Sequence, residues 1–164
     1  MARTARRIWL AVLLTLLAQA AWGIEAGTAA KGPAPTAPSA GTIDEEIAAA
    51  AASVKASPAN AVLYVRLGYL QVRKGALDDA MRSFDDALKI NPRMFDAKTG
   101  RGAVLARKGD LNEAERVLQD ALLLNPNPVR THYELGLVYE KLGVPDKALA
   151  QFKEGIRKYE QGRQ

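Results

Sequence analysis

Few residues in this chain could do chemistry. His132 is the single histidine, and there is no cysteine. That excludes a thiolate metal site, a cysteine nucleophile, a disulfide framework and lipidation at cysteine. No second histidine stands four positions from His132, as a helical zinc pair requires. Four serines and one histidine supply no nucleophile–base set, and general acid–base work draws on histidine most often. Asp78-Asp79 and Asp85-Asp86 lack the oxygen-rich loop of a calcium site and read as solvated helix positions. Arg73-Lys74, Arg107-Lys108 and Arg157-Lys158 fall near helix ends, where cations suit the dipole. Acids are interleaved with them, and no cationic stripe carries base-stacking aromatics, so nucleic acid is not expected as a partner. No catalytic residue, cofactor or metal is expected.

What must position the remaining side chains is a repeat. Gly41, Gly75, Gly109 and Gly143 stand 34 residues apart. Gly68, Gly102 and Gly136 share that step, as do Ala80, Ala114 and Ala148, and Pro58, Pro92 and Pro126. The units are 61–94, 95–128 and 129–162, preceded by a half unit over 42–60. Each reads as a helical hairpin. In the first, helix A covers about 61–74 and helix B about 77–90. Gly75 marks the exit from helix A, where a left-handed residue suits only glycine cheaply. Acids open helix B (Asp78, Asp79, Glu113, Asp146), against the positive end of the helix dipole. Thr42-x-x-Glu45 and Asp110-x-x-Glu113 look like capping pairs. Asn91-Pro92 and Asn125-Pro126 end helix B, since proline drives its predecessor out of the α region. Gly100-Arg101-Gly102 falls inside a helix A and is not a phosphate loop. Gly68 and Ala80 let the paired helices approach, with Tyr64, Leu67, Leu77, Phe84 and Leu88 around them. In the last helix Ala148, Leu149, Phe152, Ile156 and Tyr159 form one apolar stripe.

This pattern resembles the tetratricopeptide repeat, whose signature is W-x2-L-G-x2-Y, then A-x3-F, then P. The first unit has Tyr64-x2-Leu67-Gly68-x2-Gln71, Ala80-x3-Phe84 and Pro92. The third has His132-x2-Leu135-Gly136-x2-Tyr139 and Ala148-x3-Phe152, with Glu160 where proline would stand. The second departs most, through Lys98-x2-Arg101-Gly102-x2-Leu105 and Ala114-x3-Leu118. Lys98 and Arg101 at usually apolar places imply a locally thinner core or snorkelled side chains. His132 takes a large-core place. The resemblance covers about 120 residues and implies an all-α, right-handed α-solenoid of three full hairpins plus the half repeat. It also implies a non-catalytic protein-interaction scaffold.

In that family the helix A residues line a concave face that holds a partner segment. The matching places here are Val62, Val65, Arg66, Tyr69, Val72 and Arg73 in the first unit. Asp96, Thr99, Gly100, Ala103, Ala106 and Arg107 follow in the second, and Arg130, Tyr133, Glu134, Leu137, Glu140 and Lys141 in the third. The narrow middle, Thr99, Gly100, Ala103 and Ala106, predicts a trough, with Tyr69 and Tyr133 supplying contact area beside it. The set carries five basic and three acidic residues, which fits a largely apolar peptide or helix with some acidic character. The competing reading packs Val62, Val65 and Leu137 against neighbouring helices. A clamp for a terminal carboxylate would use Val65, Tyr69, Gly100, Arg130 and Glu134. Only Arg130 suits it, and Glu134 would repel the ligand.

The N-terminus carries a different message. Arg3, Arg6 and Arg7 precede an apolar run of 11 residues, Ile8 to Ala18, and small residues that suit cleavage after Ala20 or Gly23. Residues 1–23 read as a secretory signal peptide, with an uncleaved membrane anchor over 8–24 as the alternative. Residues 24–41, rich in Ala, Pro and Gly, lack core-forming side chains and read as a disordered linker before the repeat domain at 42–164. The formal charge of +5 then falls to +2 for residues 24–164, with 20 basic and 18 acidic side chains. The expected place is periplasmic or secreted, or anchored in the inner membrane facing the periplasm. Polar residues on the last helix (Lys153, Glu154, Arg157, Lys158) favour a monomer over a self-assembling structural subunit. The Ala-rich stretch at 47–52 is then the better docking edge.

Overall fold

The structure is a computed structural model that describes residues 41–163. The signal, anchor and linker readings at 1–40 lie outside the described residues. Those described form seven helices and no strand: α1 (Ile43–Ala56), α2 (Ala61–Lys74), α3 (Leu77–Ile90), α4 (Phe95–Lys108), α5 (Leu111–Leu124), α6 (Val129–Lys141) and α7 (Pro145–Gln161). This is an all-α helical-repeat solenoid. α2/α3, α4/α5 and α6/α7 are hairpins, and α1, α3 and α5 each pack on the first helix of the hairpin that follows.

Local chemistry sets the ends. Thr42 and Glu45 close a reciprocal capping box on α1, and the Asn60 side chain accepts from the Val62 amide at 3.1 Å. The exits from α2, α4 and α6 use Gly75, Gly109 and Gly143 at φ of 84°, 96° and 72°, where an L side chain would be strained. There the Ala76, Asp110 and Val144 amides reach back to the Gln71, Leu105 and Tyr139 carbonyls at 2.9, 3.0 and 2.9 Å, which satisfies carbonyls the helix end would orphan. Asn91 and Asn125 end α3 and α5 in extended backbone before their prolines.

Two expectations are corrected. Asp110 caps α5 without a side-chain hydrogen bond; its amide is taken by the Leu105 carbonyl, and Glu113 turns forward onto Arg116. The last helix, with Glu160 at the place of proline, runs on to Gln161. The core is not thinner at the second repeat: α4 buries Ala97, Thr99, Gly100 and all of Gly102–Ala106. Arg101 instead lies half-buried at the edge, its Nε 3.2 Å from Asp85 Oδ1 at an angle that makes no hydrogen bond.

The core runs along the stack. One cluster joins Phe84, Ala80 and Ala87 of α3 to Val65 of α2 and to Ala97 and Val104 of α4. The next joins Leu105, Leu118, Leu135, Val138 and Tyr139, and Met81 packs against both. Each hairpin therefore completes its burial on the next one, as stacking repeats must.

Candidate functional site: the first-helix face and the open end of the stack

The first helices α2, α4 and α6 lie side by side, α2 against α4 and α4 against α6. The small residues of α4 cause this closeness and remove the expected trough. Phe84 reaches through from α3 so tightly that a Cβ on Gly100 would lie 2.3 Å from its ring. Thr99 is buried, with its hydroxyl 2.9 Å from that of Thr131 on α6. Ala103 and Ala106 are buried as well. Narrow side chains drew the neighbouring helices together rather than leaving a gap between them. Val65 also belongs to the core, as the packing alternative had it.

Longer side chains seal this floor. Tyr69 sits edge-on to Phe84, with ring centroids 5.1 Å apart. Its hydroxyl donates to the Asp96 carbonyl at 3.0 Å, and the Arg130 guanidinium lies 3.7 Å above its ring. Burial pushes the phenol up to about 12, with Arg130 pulling the other way and Asp96 and Glu134 adding to the rise. Burial also raises the Asp96 carboxyl, against the pull of Arg130. Glu134 is buried, 3.6 Å from Arg107, while Arg107 donates to the Ala103 carbonyl at 3.0 Å. Lys141 donates to the Ala106 carbonyl at 2.7 Å, and Arg73 pairs with Glu46 of α1 at 2.8 Å. Arg66 and Val62 are exposed at the α2 edge, and Leu137 is half-buried.

Tyr133 belongs elsewhere. Its counterparts one and two repeats earlier, Thr99 and Val65, are buried, whereas Tyr133 is 54% exposed. It leans on Phe152 of α7, with centroids 5.9 Å apart. Together with Val129, Gly155, Ile156 and Tyr159 these two rings line an apolar pocket of about 360 Å³ between α6 and α7. Leu149 is exposed on the same helix. Three of the five residues of the expected α7 stripe, Leu149, Ile156 and Tyr159, thus face outward, and this end offers larger apolar side chains than the exposed alanines of α1. The register could have shown this in advance, because Tyr133, Phe152 and Ile156 fall in columns that close only on a following helix.

His132 is buried as a packing residue, with Nδ1 2.8 Å from Gln151 Oε1. Among the described residues no three His, Asp or Glu side chains converge to hold a metal ion, and no helix is long and apolar enough to cross a membrane.

Two family profiles match the chain, one described as "TPR repeat" over residues 102–143 and one as "Tetratricopeptide repeat" over 65–122. Among solved structures, TTC0263, a thermophilic TPR protein of Thermus thermophilus, is 26% identical with a TM-score of 0.65, over 71% of this chain and 65% of that one. A MamA crystal structure is 24% identical with a TM-score of 0.61, over 75% of this chain and 72% of that one. A second MamA structure, from MSR-1, is 26% identical with a TM-score of 0.58, over 74% and 70% of the two chains. No curated protein matches the chain.

Proposed function

The chain is a tetratricopeptide-repeat protein, and on that premise we propose that it is a scaffold that captures a protein partner along the face of α2, α4 and α6. The observation that carries this reading is the surface above the sealed floor. Val62 is 59% exposed, Arg66 is exposed beside it, and Arg130 is held flat over Tyr69. A rigid floor with preset cations lowers the ordering cost of binding. The exposed mixture of aliphatic and guanidinium groups suits an extended or helical segment with apolar and acidic residues. The repeat supports recognition rather than catalysis. The pattern of residues 1–23 supports action outside the cytoplasm, by secretion or by an N-terminal anchor.

The test is site-specific photo-crosslinking in the native cell. A photoreactive residue at Val62 or Arg66, on the first-helix face, is expected to trap a discrete protein. The same residue at Lys89 or Gln119, on the second helices, is expected to trap none. Equal trapping from both sets would remove the face from the reading. Sequencing the N-terminus of the protein recovered from each cell fraction checks the compartment: a start at Ala21 or Ile24 in the soluble envelope fraction is expected, and an intact Met1 in the cytoplasm overturns it.

A further inference from the structure

The first internal groove of this chain shows what fills it. Phe84 lies in the groove of α2 and α3 with a glycine on either side: Cβ atoms on Gly68 and Gly100 would approach its ring to 2.7 and 2.3 Å. Gly68 comes from its own hairpin and Gly100 from the next first helix, α4. Phe152 stands at the same step two repeats later. It has its own-hairpin glycine, Gly136, at 2.3 Å by the same measure, and among the described residues no counterpart of Gly100 packs on it. The space such a helix would fill is the apolar α6–α7 pocket.

Two more columns end unpartnered at the same place. Met81 and Glu115, one repeat apart, both reach the next first helix. Met81 packs against the cluster containing Leu105, and Glu115 accepts from the Tyr139 hydroxyl at 2.8 Å. Their counterpart Leu149 is 53% exposed. Lys74 and Lys108, at the ends of α2 and α4, each pair at 2.6 Å with the first turn of the preceding second helix, at Asp44 and Asp78. At the next step both partners change together, to Leu142 and Asn112. One step further the aspartate returns as Asp146, and no described residue pairs with it. An acid in a first turn also suits the helix dipole, so Asp146 alone would carry nothing. It coincides here with an apolar pocket and an exposed leucine in register with an interface the chain already makes twice.

We propose that the α6–α7 groove is the docking site for an amphipathic helix of a partner protein, seated where a further first helix would lie. That helix carries small residues over Phe152, an apolar residue on Leu149 and a lysine in its last turn on Asp146. Its pattern is the one α4 presents at Ala97, Gly100, Leu105 and Lys108. This surface lies at the other end of the array from the face probed at Val62 and Arg66, so either reading can fail without the other.

The probe is a fluorescein-labelled peptide with the sequence of residues 94–109. A staple between positions 98 and 102, on the side that meets α5 inside the chain, holds it helical, since a lone helix of this length is marginal in water. Fluorescence polarisation with the full chain is expected to show saturable binding. A Gly100→Leu peptide places bulk on Phe152 and is expected to bind about tenfold more weakly. Ile156→Asp in the protein, at a position exposed enough to leave folding intact by circular dichroism, is expected to do the same. A Lys108→Glu peptide is expected to weaken by about threefold, as an exposed ion pair allows, and Asp146→Lys to restore it. Absence of saturable binding, or binding indifferent to both Gly100→Leu and Ile156→Asp, overturns the proposal. So does self-association of the chain, seen by sedimentation, that Ile156→Asp abolishes, because a second copy would then be the occupant.

Discussion

Phe84 and Phe152 occupy the same step of the repeat and meet the same kind of glycine on their own hairpin, yet their surroundings differ. Phe84 is fully buried, with α4 closed over it, a buried alanine at Ala87 one turn further on, and Tyr69 edge-on to its ring. Phe152 lines an open pocket, has Gly155 one turn further on, and meets a half-exposed Tyr133. The residue type is identical, so the difference lies in the neighbouring repeat. In a stacked array a hairpin supplies half of each interface, and burial is a property of pairs of units. The third unit keeps the apolar side chains of an inner repeat, and no helix among the described residues covers them.

Replacing the two rings gives the largest effect and the most direct way to break this comparison. Phe84→Ala removes a fully enclosed ring and is expected to cost about 3–5 kcal/mol, the usual range for an aromatic lost from a packed core. Phe152→Ala is expected to cost less than half as much, because the groove is already open to water and less cavity is created. Urea unfolding of the two variants measures both. Equal losses would mean that the α6–α7 groove is as closed in solution as the inner one.

The tyrosine beside the enclosed ring sharpens the contrast through pH. The Tyr69 phenol is pushed up to about 12 by burial, against about 10 for an exposed tyrosine. The folded state favours the neutral form. Its stabilisation is therefore complete below about pH 10 and is lost as the pH rises through about 12. The loss expected by the end of that window is on the order of 2 kcal/mol, from about 1.4 kcal/mol per unit. Melting temperatures between pH 9 and 12 should fall less steeply for Tyr69→Phe than for the parent chain. Parallel curves for the two would place Tyr69 in contact with solvent.

The fold was legible because its punctuation is local. Gly75, Gly109, Asn91-Pro92 and Asn125-Pro126 act within a residue or two of where they stand, and the repeat multiplies each signal. The face of the first helices was legible only as a set of positions. Whether Thr99, Gly100 and Ala103 form a trough depends on how closely α2 and α6 approach α4. Phe84 decides that from a helix the local pattern does not place, and it closes the gap. The pairing of Arg130 with Tyr69, and of Arg107 with Glu134, is likewise a contact between repeats. Small side chains on a helix surface announce close approach as readily as an open groove. The 34-residue register held further information: with Val65 and Thr99 in one column with Tyr133, it separates residues covered by a following helix from the one that is not.

The smallest effect tests the same contrast through single methyl groups. An alanine in place of a helical glycine is worth about 1 kcal/mol in backbone terms. At Gly100 the new Cβ would lie 2.3 Å from the Phe84 ring, and Gly68 blocks the ring from retreating. Overpacking of this kind costs about 1–3 kcal/mol, so Gly100→Ala should be destabilising by about 1 kcal/mol once the backbone gain is subtracted. At Gly136 the new Cβ meets the Phe152 ring just as closely, but that ring borders the pocket between α6 and α7 and has room to swing outward. Gly136→Ala should then keep most of the backbone gain and leave stability unchanged or slightly raised. Chemical denaturation resolves the sign at both sites. The same clash printed twice along the chain should destabilise at one site alone, because only there has the next helix removed the ring's escape.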